Sequence, residues 1–195
     1  MPDESPSANS ADWPDAYDIG LANQQAVHGV DESQLIAAAR SVLRDAEYNS
    51  ATISLAVVDD TTIHALNKRY LNHDWPTDVL SFLLNEQDGH LEGEVVLSAD
   101  TAATSAAEIG WPAAAEQLLY VIHGMLHLVG HADDTPAAAN EMRAAEIRHL
   151  EAFGIRLPEN YSSTFSEKCA AQDASAEGIE DAFSAKLLSG GLEAQ

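Results

Sequence analysis

The sequence predicts an α/β (α+β) protein in which a small four-stranded sheet packs with about five helices. Two kinds of periodicity support this prediction. Short segments alternate apolar and polar residues or are rich in β-branched residues, whereas longer segments repeat apolar residues every three or four positions. The chain has 195 residues and 46% hydrophobic content, so it can bury one substantial core, which suggests a single domain.

We expect this domain to span residues 16–157, between two tails. Residues 1–15 are acidic and rich in Ser, Pro and Ala, and residues 158–195 are dominated by small and acidic residues without sustained periodicity. Such compositions bury too little apolar surface to fold. Both tails are therefore predicted to be mostly disordered, apart from one turn near residues 179–188.

The first elements follow from local patterns. Residues 17–22 alternate in polarity and predict a strand. Asp31 followed by Gln34 is an N-cap pattern, and apolar residues continue at helical spacing to residue 46. Residues 52–57 alternate again and predict the second strand.

A short helix comes next, with Thr61 or Thr62 as its expected cap. Residues 72–77 are predicted to form a loop, since the residue before a proline avoids helical geometry. Residues 79–84 favour β-structure and predict the third strand.

The polar segment 85–92 is predicted to be a turn or longer loop before a fourth strand at residues 93–98. An alanine-rich helix follows at residues 101–109. After the histidine-bearing helix, Thr135-Pro136 begins a last helix, which is closed by Gly154.

The residues that could bind a metal lie on, and directly after, the histidine-bearing helix. His123 and His127 are four residues apart, so both imidazoles project from one helix face and can hold a single cation. Gly130 can take the left-handed conformation that turns the chain back, and Asp133 or His131 then offers a third ligand. Three protein ligands leave a fourth position for water, as in catalytic zinc sites.

A pair of histidines at this spacing can also be purely structural. Here the helix is apolar nearly all round, which predicts that it is buried. A buried histidine needs partners for both ring nitrogens. The burial, the chain-reversing glycine and the acidic cluster just beyond it together favour metal binding.

The charge and composition limit the classes of function that the chain can have. The net charge is −23, with 32 acidic against 9 basic residues, which argues against a broad phosphate-binding surface. The apolar runs are too short for a membrane span, and the acidic N-terminus does not support a secretory signal. Cys169 is the single cysteine, so a reducing, cytoplasmic compartment fits best.

Four stretches occur together in the order and at the intervals of a known family. The middle of the chain, from about residue 17 to 155, resembles the YbeY family of single-domain metal-dependent endoribonucleases. The stretches are Leu66-Asn67, Pro76-Thr77-Asp78-Val79-Leu80-Ser81-Phe82, Gly93-Glu94-Val95-Val96 and His123-Gly124-x-x-His127-x-x-Gly130. The resemblance implies a small mixed sheet with the metal-binding helix packed in the core.

The resemblance also implies a function. It suggests a zinc-dependent, single-strand endoribonuclease that acts in maturation of the 3′ end of small-subunit rRNA and in ribosome quality control. One Zn²⁺ per chain would be held by His123, His127 and a third ligand. The implied partners are rRNA and the small ribosomal subunit, whereas neither a membrane nor a nucleotide cofactor is implied. The acidic composition adds basic ribosomal proteins as a further expected partner.

Two positions depart from the family pattern. The family usually has a third histidine ten residues after the first, and this chain has Asp133 there. A carboxylate is an ordinary zinc ligand, so Asp133 is the expected third ligand and His131 is the alternative. The family usually has an arginine at the position of Leu71, for which Lys68 or Arg69 is a hypothetical substitute.

The expected chemistry is phosphodiester hydrolysis. A zinc ion at His123 and His127 would lower the pKa of its bound water to roughly 7 and polarise a phosphoryl oxygen. The general base stays unassigned; Asp134 is a weak candidate, because an acidic residue there also suits a helix start. Asp78 and Ser81 either line the cleft or serve a turn and strand pairing.

Two other functions stay open. The HxxxHxxGxxD spacing resembles metzincin proteases, but these need a glutamate after the first histidine, where this chain has Gly124. A noncatalytic ribosome-assembly factor with a structural metal is favoured by the acidic charge and by Leu71.

The other histidines are expected to be less informative. His64, His90 and His149 are predicted to face solvent. His73 lies in the loop before the third strand and can approach the cleft. Trp75 is expected to cover the core rather than to flank a substrate.

Overall fold

The computed structural model describes residues 16–158 and residue 161. These residues form four strands and five helices, so the predicted fold class is confirmed. Most of both predicted tails, including Cys169 and the expected turn near residues 179–188, lies outside the described residues. In chain order the elements are β1 (Tyr17–Asn23), α1 (Glu32–Asp45), β2 (Ser50–Val58), α2 (Asp60–Leu71), β3 (Val79–Gln87), β4 (His90–Ser98), α3 (Ala99–Ile109), α4 (Ala113–Leu128) and α5 (Pro136–Ala152).

The sheet is mixed, as the family resemblance implies. Its strand order is β1-β2-β4-β3. β1 pairs in parallel with β2, and β2 pairs in parallel with β4, whereas β3 is antiparallel to β4. Parallel neighbours need a crossover connection, and α1 supplies it between the first two strands.

Of the turn or longer loop predicted at residues 85–92, the structure has the turn, and it is shorter than the predicted segment. β3 continues to Gln87 and β4 begins at His90, so a two-residue turn of Asp88 and Gly89 joins them. Both turn residues have positive φ, 51° and 78°. This is the backbone that two-residue hairpins favour, and Asp-Gly is a preferred pair for it. The polar composition concealed a hairpin that the Asp-Gly pair itself indicates.

Side-chain caps fix four of the helix starts, including that of α3, where Ser98 accepts from the N–H of Thr101. Asp31 accepts a hydrogen bond from the backbone N–H of Gln34, as predicted. The cap of α2 is Asp59, which accepts from the N–H of Thr62, so the expected threonine cap is wrong. Thr135 caps α5 as predicted. In each case a short polar side chain satisfies an N–H group that has no partner within the helix.

Helix α4 is the buried centre of the fold, as its apolar sequence predicts. It packs against the β3–β4 half of the sheet and contacts α1, α3 and α5. Gly124 allows this close approach, since a Cβ there would lie 2.7 Å from Val95 Cγ1 and 2.9 Å from Ser81 Oγ.

The opposite face of the sheet carries a second, smaller apolar cluster, to which α2 contributes Ile63. The central strands are therefore buried on both faces, which explains their near-continuous apolar runs. No helix in the described part of the chain is both long and apolar enough to cross a membrane.

Candidate metal centre

His123 and His127 lie on one face of α4, and their rings meet. Their Nε2 atoms are 3.0 Å apart, and the ring planes are nearly perpendicular, at 88°. The side chain of His123 is 1% exposed, whereas His127 is half-buried. The four-residue spacing therefore brings two ligand atoms to one point, as the sequence indicates.

The chain reverses directly after α4. Gly130 has a positive φ of 92°, and its N–H donates to the carbonyl of His127. The N–H of His131 donates to the carbonyl of Leu126, which completes the two-bond pattern of a Schellman motif. The turn brings back Asp133, whose Oδ2 atom lies 4.0 Å from Nε2 of His123.

The structure thus brings together His123, His127 and Asp133. One ligand atom from each lies within 4.8 Å of the others, and the group could hold a metal ion. His131 is outside this group. The charge of His131 acts instead on Asp45. The pKa of Asp45 is lowered first by a hydrogen bond from Arg148 and to a smaller extent by the charges of His149 and His131.

Hydrogen bonds orient both rings from behind. Nδ1 of His123 lies 2.7 Å from Oε1 of Glu146, and Nδ1 of His127 lies 3.1 Å from the carbonyl oxygen of His131. Glu146 is itself paired with Arg143 at 2.7 Å. Metal-ligating histidines usually donate their second N–H to a carboxylate or carbonyl in this way, which fixes the ring orientation.

The chemistry of these donors fits a metal. Because both Nδ1 atoms face acceptors, each neutral ring carries its proton on Nδ1 and turns an Nε2 lone pair toward the other ring. Oδ2 of Asp133 is buried, and no group in residues 16–158 or 161 donates a hydrogen bond to it. An uncompensated buried carboxylate is costly. A cation among the three atoms would accept the two facing lone pairs and would compensate the charge of the carboxylate.

The environment also keeps His127 able to bind a metal. The pKa of His127 is lowered, mainly because burial penalises its charged form and further because a charge on His123 would repel it. The charge of Asp133 and the hydrogen bond to the His131 carbonyl oppose this shift. Only a neutral imidazole offers a lone pair to a metal, so the lowered pKa favours the form that binds.

Comparison with known proteins then decides the family. The sequence profile described as Endoribonuclease YbeY matches residues 20–154. This chain belongs to the YbeY family.

Individual relatives carry the same name. Endoribonuclease YbeY of Rhodopirellula baltica is 39% identical over 143 residues, which cover 72% of this chain and 72% of the relative. Endoribonuclease YbeY of Syntrophotalea carbinolica is 35% identical over 148 residues, which cover 73% of this chain and 97% of the relative. Endoribonuclease YbeY of Salinibacter ruber is 43% identical over 117 residues, which cover 55% of this chain and 74% of the relative.

Among solved structures, the solution structure of TM1509 from Thermotoga maritima aligns with a TM-score of 0.49 and 23% identity, over 71% of this chain and 91% of that chain.

Two of the four family stretches meet at α4. Ser81, in the PTDVLSF stretch, donates a hydrogen bond of 3.0 Å to the carbonyl of Gly124. Asp78 is buried and accepts from the hydroxyl of Thr77 and the N–H of Val79, both at 2.9 Å. Ser81 therefore ties β3 to α4, whereas the bonds of Asp78 are local and fit the turn considered for it.

Other predicted residues lie outside the group. Asp134 is exposed. Leu71 packs against the smaller apolar cluster, and the guanidinium of Arg69 lies 5.3 Å from the ring centre of Tyr70. His149, expected in solvent, is only 4% exposed, so that expectation is wrong.

Two contributions at the centre were missed by sequence reasoning. Glu146 is 2% exposed, on the buried face of α5 beside Met142 and Ala145. A carboxylate on an apolar helix face is the signal that would have found it.

The second missed feature lies on α4, two helical turns before His123. Glu116 is 1% exposed and accepts hydrogen bonds from Trp111 Nε1 at 2.7 Å and from the hydroxyl of Tyr161 at 3.1 Å. Burial raises its pKa. Arg143 lies 5.1 Å from the ring centre of Tyr161, so residue 161 connects α4 with the Arg143–Glu146 pair.

Proposed function

We propose that this protein is a zinc-dependent endoribonuclease that cleaves single-stranded RNA. The observation that carries the proposal is the group of His123, His127 and Asp133 in a chain of the YbeY family. We further propose that its substrate is rRNA of the small ribosomal subunit near the 3′ end, and that it takes part in ribosome quality control.

The proposed ligands are the Nε2 atoms of His123 and His127 and a carboxylate oxygen of Asp133. When bound, zinc supplies Lewis acidity toward a phosphoryl oxygen and lowers the pKa of a water molecule to roughly 7. Glu146 and the carbonyl of His131 hold the two rings in the orientation that binding requires.

Proton transfer needs a further group. Asp134 is the proposed but weaker candidate for the general base: it is exposed and follows Asp133 directly, and its exposure suits a solvated charge equally well. The two imidazoles are unsuitable, because each would donate its Nε2 lone pair to the cation and carries a proton on Nδ1.

The partners proposed are rRNA, the small ribosomal subunit and basic ribosomal proteins. A net charge of −23 disfavours broad contact with phosphates, so RNA binding would have to be local, whereas basic proteins suit the acidic surface. We propose that residues 16–157 act as one domain in the cytoplasm.

A noncatalytic assembly factor is the second candidate, because the acidic charge and Leu71 both favour it over a nuclease. A metalloprotease has less support. The position after His123 would need a general base, and Gly124 there packs against Val95 and Ser81 with no room even for a Cβ.

The test uses purified full-length protein loaded with zinc, on structured rRNA and on casein. The first proposal predicts RNA cleavage that His127→Ala abolishes and that His90→Ala leaves unchanged, since His90 lies at the start of β4. Failure to cleave either substrate, together with association with the small subunit, would favour the assembly factor. Cleavage of casein alone would favour the protease.

A further inference from the structure

Trp75 is unusually exposed. Its side chain was expected to cover the core, but 50% of its surface is accessible, so that expectation is wrong. The other large apolar residues exposed in the described part of the chain, Val27, Leu83 and Ile147, are all aliphatic. Aromatic side chains, Trp among them, are enriched at surfaces that bind a partner.

His73 extends this aromatic surface. Its ring lies 4.7 Å from that of Trp75, centre to centre, and the two planes differ by 11°. The pair therefore forms a flat stack. A further planar group can continue such a stack, because offset stacking needs only a parallel face.

The loop that carries the stack is fixed in place. The side chain of Asn67, 1% exposed, donates a hydrogen bond of 2.8 Å to the carbonyl of Trp75. Asp74 is held by His64 at 2.9 Å and by Lys68 at 2.7 Å. Because these contacts preorganise the loop, a ligand would not have to order it on binding.

Positive charge lies beside the stack. Lys68 and Arg69, two of only nine basic residues in the chain, occupy the last turn of α2, directly before the loop. The side chain of Lys68 is 60% exposed, and Arg69 is also exposed. Because the ammonium of Lys68 is paired with Asp74, the exposed guanidinium of Arg69 is the group left to attract a phosphate.

The loop that carries the stack leads into β3, which packs against α4. Trp75 precedes Asp78 by three residues, a reach of at most about 11 Å. Val79 then begins β3 against Gly124, the neighbour of His123. The loop is thus joined through β3 to the helix that carries His123 and His127.

We propose that Trp75 and His73 form a stacking platform for unpaired bases of the RNA substrate, with Arg69 as the nearby cation for its phosphates. The proposal rests on the proposed ribonuclease function and adds to it a substrate-binding surface. Base stacking on aromatic side chains tolerates any base, so the platform favours single-stranded over paired RNA without reading a sequence.

The test measures binding of a fluorescently labelled 12-nucleotide single-stranded RNA to the full chain, in EDTA so that no cleavage occurs. We expect Trp75→Ala to weaken binding about tenfold and Trp75→Phe, which keeps a ring, to weaken it by less than about threefold. Leu83→Ala, at a residue 41% exposed on β3, is the matched control and should bind like wild type.

A steady-state measurement with zinc-loaded protein supplies a second readout. Trp75→Ala should raise KM and leave kcat unchanged, because the tryptophan would contact a part of the RNA that is remote from the bond cleaved. Unchanged affinity and KM in Trp75→Ala, while wild type still cleaves RNA, would overturn the platform alone. If wild type neither binds nor cleaves RNA, the ribonuclease proposal fails with it. A basic peptide serves as a second probe. If Trp75→Ala bound this peptide more weakly than wild type but bound RNA equally well, the platform would also be overturned.

Discussion

Nδ1 of His123 lies 2.7 Å from Oε1 of Glu146, and both side chains are at most 2% exposed. The contact joins α4 to α5 behind the candidate metal site. It holds the imidazole with its Nε2 atom toward His127 and Asp133, so its effect should be seen first in metal binding.

Glu146→Gln should therefore weaken zinc binding by about tenfold, since carboxylates behind ligating histidines typically contribute that much or more. Glu151→Gln, at an exposed position on the same helix, is the matched control and should keep wild-type affinity. Competition with a chromogenic chelator measures the affinity. Equal zinc affinity in both variants would show that Glu146 only packs the fold.

Asp133→Ala should lose stoichiometric zinc, because it removes one of the three clustered ligand atoms. His131→Ala should retain zinc, since its contribution to the centre is a backbone carbonyl that alanine preserves. Elemental analysis of purified protein gives the answer. The reverse pattern would make His131 the third ligand.

Gly124→Ala should destabilise the fold by about 1–3 kcal/mol, the usual range for overpacking a core. The new Cβ would overlap the stiff, buried side chains of Val95 and Val79, which outweighs the gain of about 1 kcal/mol in helix propensity. Urea unfolding measures the change. Gly29→Ala, where a Cβ would meet nothing within 4 Å, is the control.

The stability of the metal-free protein should fall as the pH drops below about 6.5, in part because of His149. The pKa of His149 is lowered, mainly by burial, so the unfolded chain takes up its proton at a higher pH than the folded one. Between the lowered pKa of the folded state and the value of 6.5 in the unfolded chain, protonation of His149 favours unfolding. Above pH 6.5 the residue is neutral in both states and makes no pH-dependent contribution to stability. Urea unfolding in EDTA at pH 7.5 and 5.5 should show a smaller loss in His149→Gln than in wild type; an identical loss would contradict the assignment.

Local patterns predicted most of the fold because they are satisfied within a few residues. The cap at Asp31 needs only the N–H of Gln34, and Thr135 needs only its own helix. The hairpin at Asp88-Gly89 is also a local feature, since two adjacent residues form its turn, although the polar residues on both sides are equally typical of a loop.

By itself, the sequence determined that His123 and His127 share a helix face and that Gly130 can reverse the chain, because both depend on backbone geometry within two turns. It left the third ligand open between Asp133 and His131. Only the tertiary structure brought Asp133 into the group, placed Glu146 behind His123 and exposed Trp75. These depend on how α5 and the loop before β3 pack against distant elements, and sequence spacing carries no measure of such contacts.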